Sequence, residues 1–508
     1  MNVAESVPVI VDAPCGKLEG VSRGGVSTFK GIPFATARRW RRPERVPSWS
    51  GVRPARAAGA VAPQNPTPLE GLIASGGKNE QSEDCLFLNV WTPSCDGAKR
   101  PVMVWIHGGA FSTGAGSIGL YSGKNLASTG DVVVVTINYR LSSLGFLRLA
   151  DLTGGRIPST GGEGVADQIT ALTWVRDNIA AFGGDPSNVT IFGESAGGMS
   201  VACLLAAPAA RGLFHKAICQ SGGAHIARPR EHANRVAEVF LRHLGRSAND
   251  DLESVPVAAL LKAQADLVAE VDGKQDPHKL GAMALQPAVD GDVLAMWPIE
   301  AVRAASAAGV PVMAGTTTEE WKLWTALDQK FHAMDEDKLA RWAERMFGEH
   351  AAALLAADNE GTPYERYVSM QTDRAFREPT LRLLGAQSAQ APVYEYVFDW
   401  RSPAAGGVFG ACHAIELGFV FGTHSLPGAD NFFGKGPEAD AINRAMMQAW
   451  TSFARTGVPA ADGVEAWPCW SKASPAAMVF GADSRAAHVT KFELPKAWSA
   501  LPDRLVGP

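Results

Sequence analysis

An α/β architecture, with a mostly parallel central sheet and helices on both faces, is what this sequence predicts. Three observations carry the expectation: short β-branched runs recur along the chain, each ends in a glycine-rich or polar turn, and helical patterns lie between them. Residues 102–106 (VMVWI) run into HGGAF, 132–138 (VVVVTIN) into YRLSSLGF, 189–192 (VTIF) into GESAGG, 217–220 (AICQ) into SGGAH and 310–314 (VPVMA) into GTTTEEW, and 393–398 (VYEYVF) follows. Runs that are apolar throughout, rather than alternating, suit strands covered on both faces. Residues 164–182 place Ile169, Leu172 and Val175 on one stripe and stop at Gly183; residues 437–456 form a second amphipathic helix stopped by Gly457 and Pro459. Alternation of strand and helix is the signature of an α/β sheet. The stretches 225–308 and 323–392 read as mostly helical insertions that roof the active site of a single catalytic domain.

The 508 residues are ample for a sizeable core, and 46% hydrophobic with 19% charged residues is ordinary for a globular enzyme. A formal net charge of -5 gives no reason to expect nucleic acid or an anionic membrane as partner. The N-terminal segment lacks the basic start and apolar core of a secretory signal, and no apolar run reaches the roughly 20 residues of a membrane span. Seven cysteines are scattered without a C-x-x-C pair, which fits free thiols in a reducing cytoplasm. Cys412, beside a histidine of interest, reads as a packing residue. The arginines at 38, 39, 41, 42 and 45 read as a solvated surface with local ion pairs.

Gly193-Glu194-Ser195-Ala196-Gly197 matches G-x-S-x-G between an apolar strand and a helical run. That context puts the serine on a sharp strand-to-helix turn, where glycines remove clashing side chains and the helix N-terminus favours a developing oxyanion. Ser195 is therefore the candidate nucleophile. His107-Gly108-Gly109-Ala110-Phe111 leaves a second strand as a loop of small residues, so the N–H groups of Gly109, Ala110 and Ala196 are the candidate oxyanion donors. His107 precedes the nucleophile, whereas this fold orders its triad serine, acid, histidine; its expected task is to hold the loop. Of the eleven histidines, His413 follows both the nucleophile and an acid-bearing turn, with His424 as the nearest rival. No H-E-x-x-H and no P-loop occur, and neither a metal nor an organic cofactor is expected. Among the aromatics flanking the motifs, Phe111, Trp321 and Phe419 are the candidate substrate contacts.

With these residues in view the chain resembles the type B carboxylesterase and cholinesterase family, and within it the bacterial p-nitrobenzyl esterases. The resemblance rests on residues 83–91 (EDCLFLNVW), 182–198 (FGGDPSNVTIFGESAGG), 31–35 (GIPFA), 138–140 (NYR) and 449–457 (AWTSFARTG). It implies the α/β-hydrolase fold and a catalytic Ser195, Glu320 and His413. The acid is implied by the turn GTTTEE at 315–320, which leaves Glu319 as the alternative, and Trp321 stands where the family has glycine. The base is implied by H-x-x-E-L at 413–417, in which Glu416 reads as structural. Glu83, Asp84 and Arg140 resemble the family's bracing salt-bridge positions. The upstream partner for a disulfide at Cys85 is missing. The implied activity is cleavage of small to medium apolar esters through an acyl-enzyme, with amides and carbamates as alternative substrates and a non-catalytic binding protein as the remote one. Such a mechanism raises activity with pH through roughly 6–7 as the histidine becomes neutral.

Overall fold

The structure, a computed structural model, describes residues 6–67, 80–272, 280–281, 283–481, 484–488 and 494–508. Among them thirteen strands join one sheet: β1 (Val7–Ala13), β2 (Gly16–Arg23), β3 (Val26–Pro33), β4 (Val52–Pro54), β5 (Phe87–Thr92), β6 (Arg100–Ile106), β7 (Val133–Ile137), β8 (Gly184–Glu194), β9 (Lys216–Gln220), β10 (Val312–Thr317), β11 (Val393–Phe398), β12 (Ala476–Phe480) and β13 (Arg485–His488). Their spatial order is β1-β2-β3-β5-β7-β6-β8-β9-β10-β11-β12-β13, with β4 beside β2. The seven strands from β7 to β12 in that order are parallel. The edges, β1 to β5 on one side and β13 on the other, pair antiparallel apart from β4. The six strands read from the sequence are all in the parallel part. The antiparallel flank of β1 to β3 was not among them.

The continuous apolar runs follow from burial on both faces. In β6, Val102, Val104 and Ile106 point into one core and Met103 and Trp105 into the other; in β8, Val189 and Ile191 oppose Phe192. One face is covered by α1 (Glu163–Asn178) and α2 (Ala196–Ala206), with Leu172, Val175, Val201 and Leu205 in its core. The other is covered by α8 (Pro437–Thr456), through Ile442, Met446 and Trp450. Gly457 ends α8 with φ 81°, a left-handed cap that a side chain would strain.

The stretches 225–308 and 323–392 each carry several helices. The first holds α3 (Arg230–Leu244) and α4 (Val257–Asp272), joined by a core of their own around Phe240, Leu260 and Leu267; residues 273–279 and 282 lie outside the described residues. The second holds α5 (Glu336–Phe347), α6 (Pro363–Thr372) and α7 (Glu378–Gln387), with a π-helical turn, Asp373–Arg377, between the last two. Four of the five clustered arginines are ion-paired: Arg39 with Glu83, Arg41 with Glu253, Arg42 with Asp290 and Asp292, and Arg45 with Asp177, while Arg38 is exposed. Arg140 is buried against Asp167 of α1 by a two-pronged contact at 2.7 and 2.8 Å, while Asp84 is exposed. No helix among the described residues is long and apolar enough to cross a membrane.

Candidate active site

The C-terminal ends of β6, β8, β9 and β10, and the loop after β11, converge on one point, which is where an open parallel sheet binds ligands. Ser195 stands between β8 and α2 with φ 56° and ψ -126°, a conformation a non-glycine residue adopts only when its surroundings enforce it. The enforcement is visible. The Ser195 N–H donates to Gln220 O at 2.9 Å. A Cβ at Gly193 would lie 2.5 Å from the Gly197 carbonyl, and one at Gly197 would collide with Ile106 O, so strand, turn and helix close up only with glycine at both.

The loop after β6 turns through positive φ at Gly109, Ala110 and Phe111. The Gly109 and Ala110 N–H groups donate to no backbone acceptor, and Ala196 opens α2, where no intrahelical acceptor exists. These are three unspent donors beside the serine. His107 holds the loop: its ring stacks on Tyr139 with centroids 4.5 Å apart, its Nδ1 lies 2.8 Å from Gly108 O, and Tyr139 Oη donates to His107 O. Burial pushes the His107 pKa down to about 4, which keeps the ring neutral.

His413 follows β11 and is buried. Its Nδ1 lies 2.6 Å from Glu320 Oε2, and its backbone N–H donates to Glu320 O at 3.1 Å. The other oxygen, Glu320 Oε1, accepts from Ser221 Oγ at 2.6 Å and from the Thr317 N–H at 2.9 Å. The alternative acid, Glu319, is engaged elsewhere, with Lys322 at 2.6 Å and the Ala411 N–H at 3.0 Å. His424, the alternative base, faces Asp440 and stacks on Phe419. The structure thus brings Glu320 and His413 together and leaves both rivals apart.

The Nε2 of His413 does not touch Ser195 here. It lies 3.0 Å from Glu194 Oε1. Burial draws the His413 pKa down, but Glu194 and Glu320 together outweigh it and hold the pKa well above the usual histidine range. A third carboxyl, Glu416, accepts from Gln220 Nε2 at 3.3 Å; burial, reinforced by Glu194 and Glu320, pushes it up to about 8. His413 is thus packed between the side chains of Glu194 and Glu320, with Glu416 nearby. The Cys412 thiol is buried, and its pKa is raised by that burial and by Glu320 and Glu416, which leaves it inert as a nucleophile. All seven cysteines are free.

Two expected substrate contacts require correction. Phe111 and Phe419 are both 0% exposed. Phe111 packs edge-on against Phe146, and Phe419 lies in the core on the α8 side of the sheet. Each flanks a motif in sequence but packs its ring into the core. Trp321 is partly buried and packs on Trp324 and Phe376. The rings that face His413 are Trp324 and Phe376, at 4.9 and 4.7 Å between centroids, and Trp324 is 43% exposed. Sequence reasoning singled out neither Phe376 nor Ser221. Phe376 rides on the π-helical turn, which has no sequence signal. Ser221 had one, because it ends the strand beside β10. Among the described residues no group of three or more His, Cys, Asp or Glu is arranged to hold a metal ion.

A strained serine at a strand-to-helix turn, unspent backbone donors opposite it and a buried Glu-His pair define the α/β-hydrolase class. The chain belongs to the carboxylesterase family, whose model matches residues 7–495. It is 40% identical over 470 residues to the para-nitrobenzyl esterase of Bacillus subtilis (strain 168), covering 91% of this chain and 92% of that one. It is 34% identical to a phenmedipham hydrolase of Pseudarthrobacter oxydans, over 93% and 95% of the two chains. The crystal structure of a Geobacillus stearothermophilus carboxylesterase superposes with a TM-score of 0.84 at 40% identity, covering 96% of this chain and 99% of that one. The chain is a serine carboxylesterase, an enzyme acting on carboxylic ester bonds.

Proposed function

We propose that Ser195 is the nucleophile, His413 the general base and Glu320 the acid that orients it. The observation that carries this reading is the 2.6 Å contact between His413 Nδ1 and a Glu320 carboxylate fixed on its far side by two donors. With Nδ1 committed as donor, Nε2 is the nitrogen left to take the Ser195 proton as Oγ attacks the ester carbonyl. To do so it leaves Glu194 for Ser195, a rotation within a fixed Glu320 contact. The N–H groups of Gly109, Ala110 and Ala196 stabilise the tetrahedral oxyanion. His413 then protonates the departing alcohol and activates the water that releases the acid from the acyl-enzyme.

The substrates are small to medium apolar esters. Trp324 and Phe376 beside His413 supply an apolar wall, and the two helical insertions roof the site, the second of them carrying both rings. Hydrolysis of p-nitrophenyl esters from acetyl to octanoyl, by wild type and Ser195→Ala in parallel, tests the reading. Turnover by the wild type with a loss of several orders of magnitude in the variant is expected. Equal rates in the two proteins would overturn it.

A further inference from the structure

His413 is carried by a long connection. Residues 399–412 separate it from the end of β11, and the stretch 403–408 within them lies mostly at the surface. A connection of that kind moves unless it is tied down, whereas a general base has to be held close to its productive geometry.

The tie is made by the residue before the acid. Ala411 is buried, and Glu319 takes both of its backbone groups. The Ala411 N–H donates to Glu319 Oε2 at 3.0 Å, and the Ala411 carbonyl accepts from the Glu319 N–H at 3.0 Å. Two residues on, the His413 N–H donates to Glu320 O at 3.1 Å. Residues 319–320 and 411–413 therefore run side by side as a short ladder. Its other rail is anchored in turn: the Thr318 N–H donates to Phe398 O at 3.0 Å and Thr318 Oγ1 to Asp399 Oδ1 at 2.9 Å. The second oxygen of the clamp, Glu319 Oε1, is held by Lys322 Nζ at 2.6 Å, with Arg401 at 3.6 Å.

Gly410 adds an independent observation. Its φ is 56°, where a side chain is strained, and a Cβ there would collide with Glu319 Oε2. Glycine at this position is what lets the carboxylate reach the Ala411 N–H.

We propose that Glu319 is a positioning residue of the reaction: it clamps the loop that presents His413, so that the imidazole swings between Glu194 and Ser195 about a fixed backbone. It acts through His413 rather than on the ester. Two consecutive glutamates divide the work, Glu320 orienting the ring and Glu319 holding the backbone that carries it. The inference rests on the reading of Ser195, His413 and Glu320 as the triad. Acylation and deacylation both pass through His413, so a loosened clamp slows both steps.

The test measures kcat and KM for p-nitrophenyl acetate, with thermal unfolding as the control, in the full chain carrying Glu319→Ala, Glu319→Gln, Gly410→Ala, or Glu319→Ala and Gly410→Ala together. Glu319→Ala is expected to lower kcat and kcat/KM together by about 10²-fold, the scale of a displacement of about 1 Å, in protein that is folded at the assay temperature. Glu319→Gln, which keeps an oxygen for the Ala411 N–H, recovers most of that loss. Gly410→Ala, which pushes the carboxylate aside without altering it, reproduces the loss and adds little to Glu319→Ala, the non-additivity of a shared contact. A Glu319→Ala enzyme that unfolds more easily but keeps its kcat, a Glu319→Gln enzyme as slow as Glu319→Ala, or additive losses in the double variant overturn the inference. If Glu319→Ala does not fold, Gly410→Ala decides, and a kcat equal to that of the wild type overturns it. Full activity in His413→Ala would instead overturn the triad reading, and the inference with it.

Discussion

Replacing Glu320 by glutamine changes one atom, and the structure dictates which way the new amide must face. Glu320 Oε1 accepts from the Thr317 N–H at 2.9 Å and from Ser221 Oγ at 2.6 Å. The serine hydroxyl can turn to accept, but a backbone N–H cannot, so an amide nitrogen at that position would leave two donors face to face. The glutamine therefore keeps its oxygen there and turns its NH₂ towards His413 Nδ1. That nitrogen must now accept, which moves the ring proton to Nε2, the nitrogen that has to receive the proton of Ser195. The fold is preserved and the base is disabled. Loss of the correct tautomer costs serine hydrolases about 10⁴ in kcat, which is about 5.4 kcal/mol at 1.36 kcal/mol per tenfold. The assay is kcat for p-nitrophenyl acetate at the pH optimum, with thermal unfolding of both proteins as the control. A Glu320→Gln enzyme that unfolds like the wild type and keeps activity within tenfold would refute the reasoning.

Three further outcomes follow from the same geometry. Because Glu194 and Glu320 hold the His413 pKa well above its usual range, the rise of kcat/KM with pH should lie above the 6–7 window of an ordinary histidine. Activity is then lost as pH falls through the raised pKa, and Glu194→Gln should move the inflection to lower pH; a pH–rate profile of both enzymes checks it, and an unmoved inflection would contradict it. Gly197→Ala drives a Cβ into Ile106 O and displaces the turn that carries Ser195. With misplacements of about 1 Å costing on the order of 10²-fold, kcat/KM should fall by about that factor. Breaking the buried Arg140–Asp167 pair by Asp167→Ala strands a charge that is almost fully enclosed, so the variant should lose about 3–5 kcal/mol of stability, measured by urea denaturation.

Much of this was legible in the sequence because strong local rules were at work. Strands buried on both faces are rich in apolar residues, and the central runs of β6, β8 and β11 are, Thr190 and Glu395 apart; a nucleophile turn needs glycines where backbones meet, and Gly193 and Gly197 are there. What escaped was set by tertiary neighbours. The strands β1 to β3 are antiparallel, β1 and β2 are partly exposed and β3 (VSTFKGIP) mixes polar with apolar residues, so they lack the continuous apolar run that marked the others. Phe111 and Phe419 adjoin motifs along the chain, yet which way a ring turns depends on packing partners such as Phe146 and His424 that sequence proximity does not reveal. Phe376 reaches His413 only because a π-helical turn rotates it there. The pH expectation moved for a related reason. The chain shows Glu194 beside Ser195, but only the fold shows its carboxylate 3.0 Å from His413 Nε2.

The most direct test of the central claim is to treat the enzyme with a fluorophosphonate ester and map the modified residue by peptide mass spectrometry. A single phosphonyl adduct on Ser195 is expected, forming in step with loss of esterase activity, absent in Ser195→Ala and slowed by several orders of magnitude in His413→Ala. An adduct on another residue, or labelling of Ser195 that proceeds as fast without His413, would contradict the account.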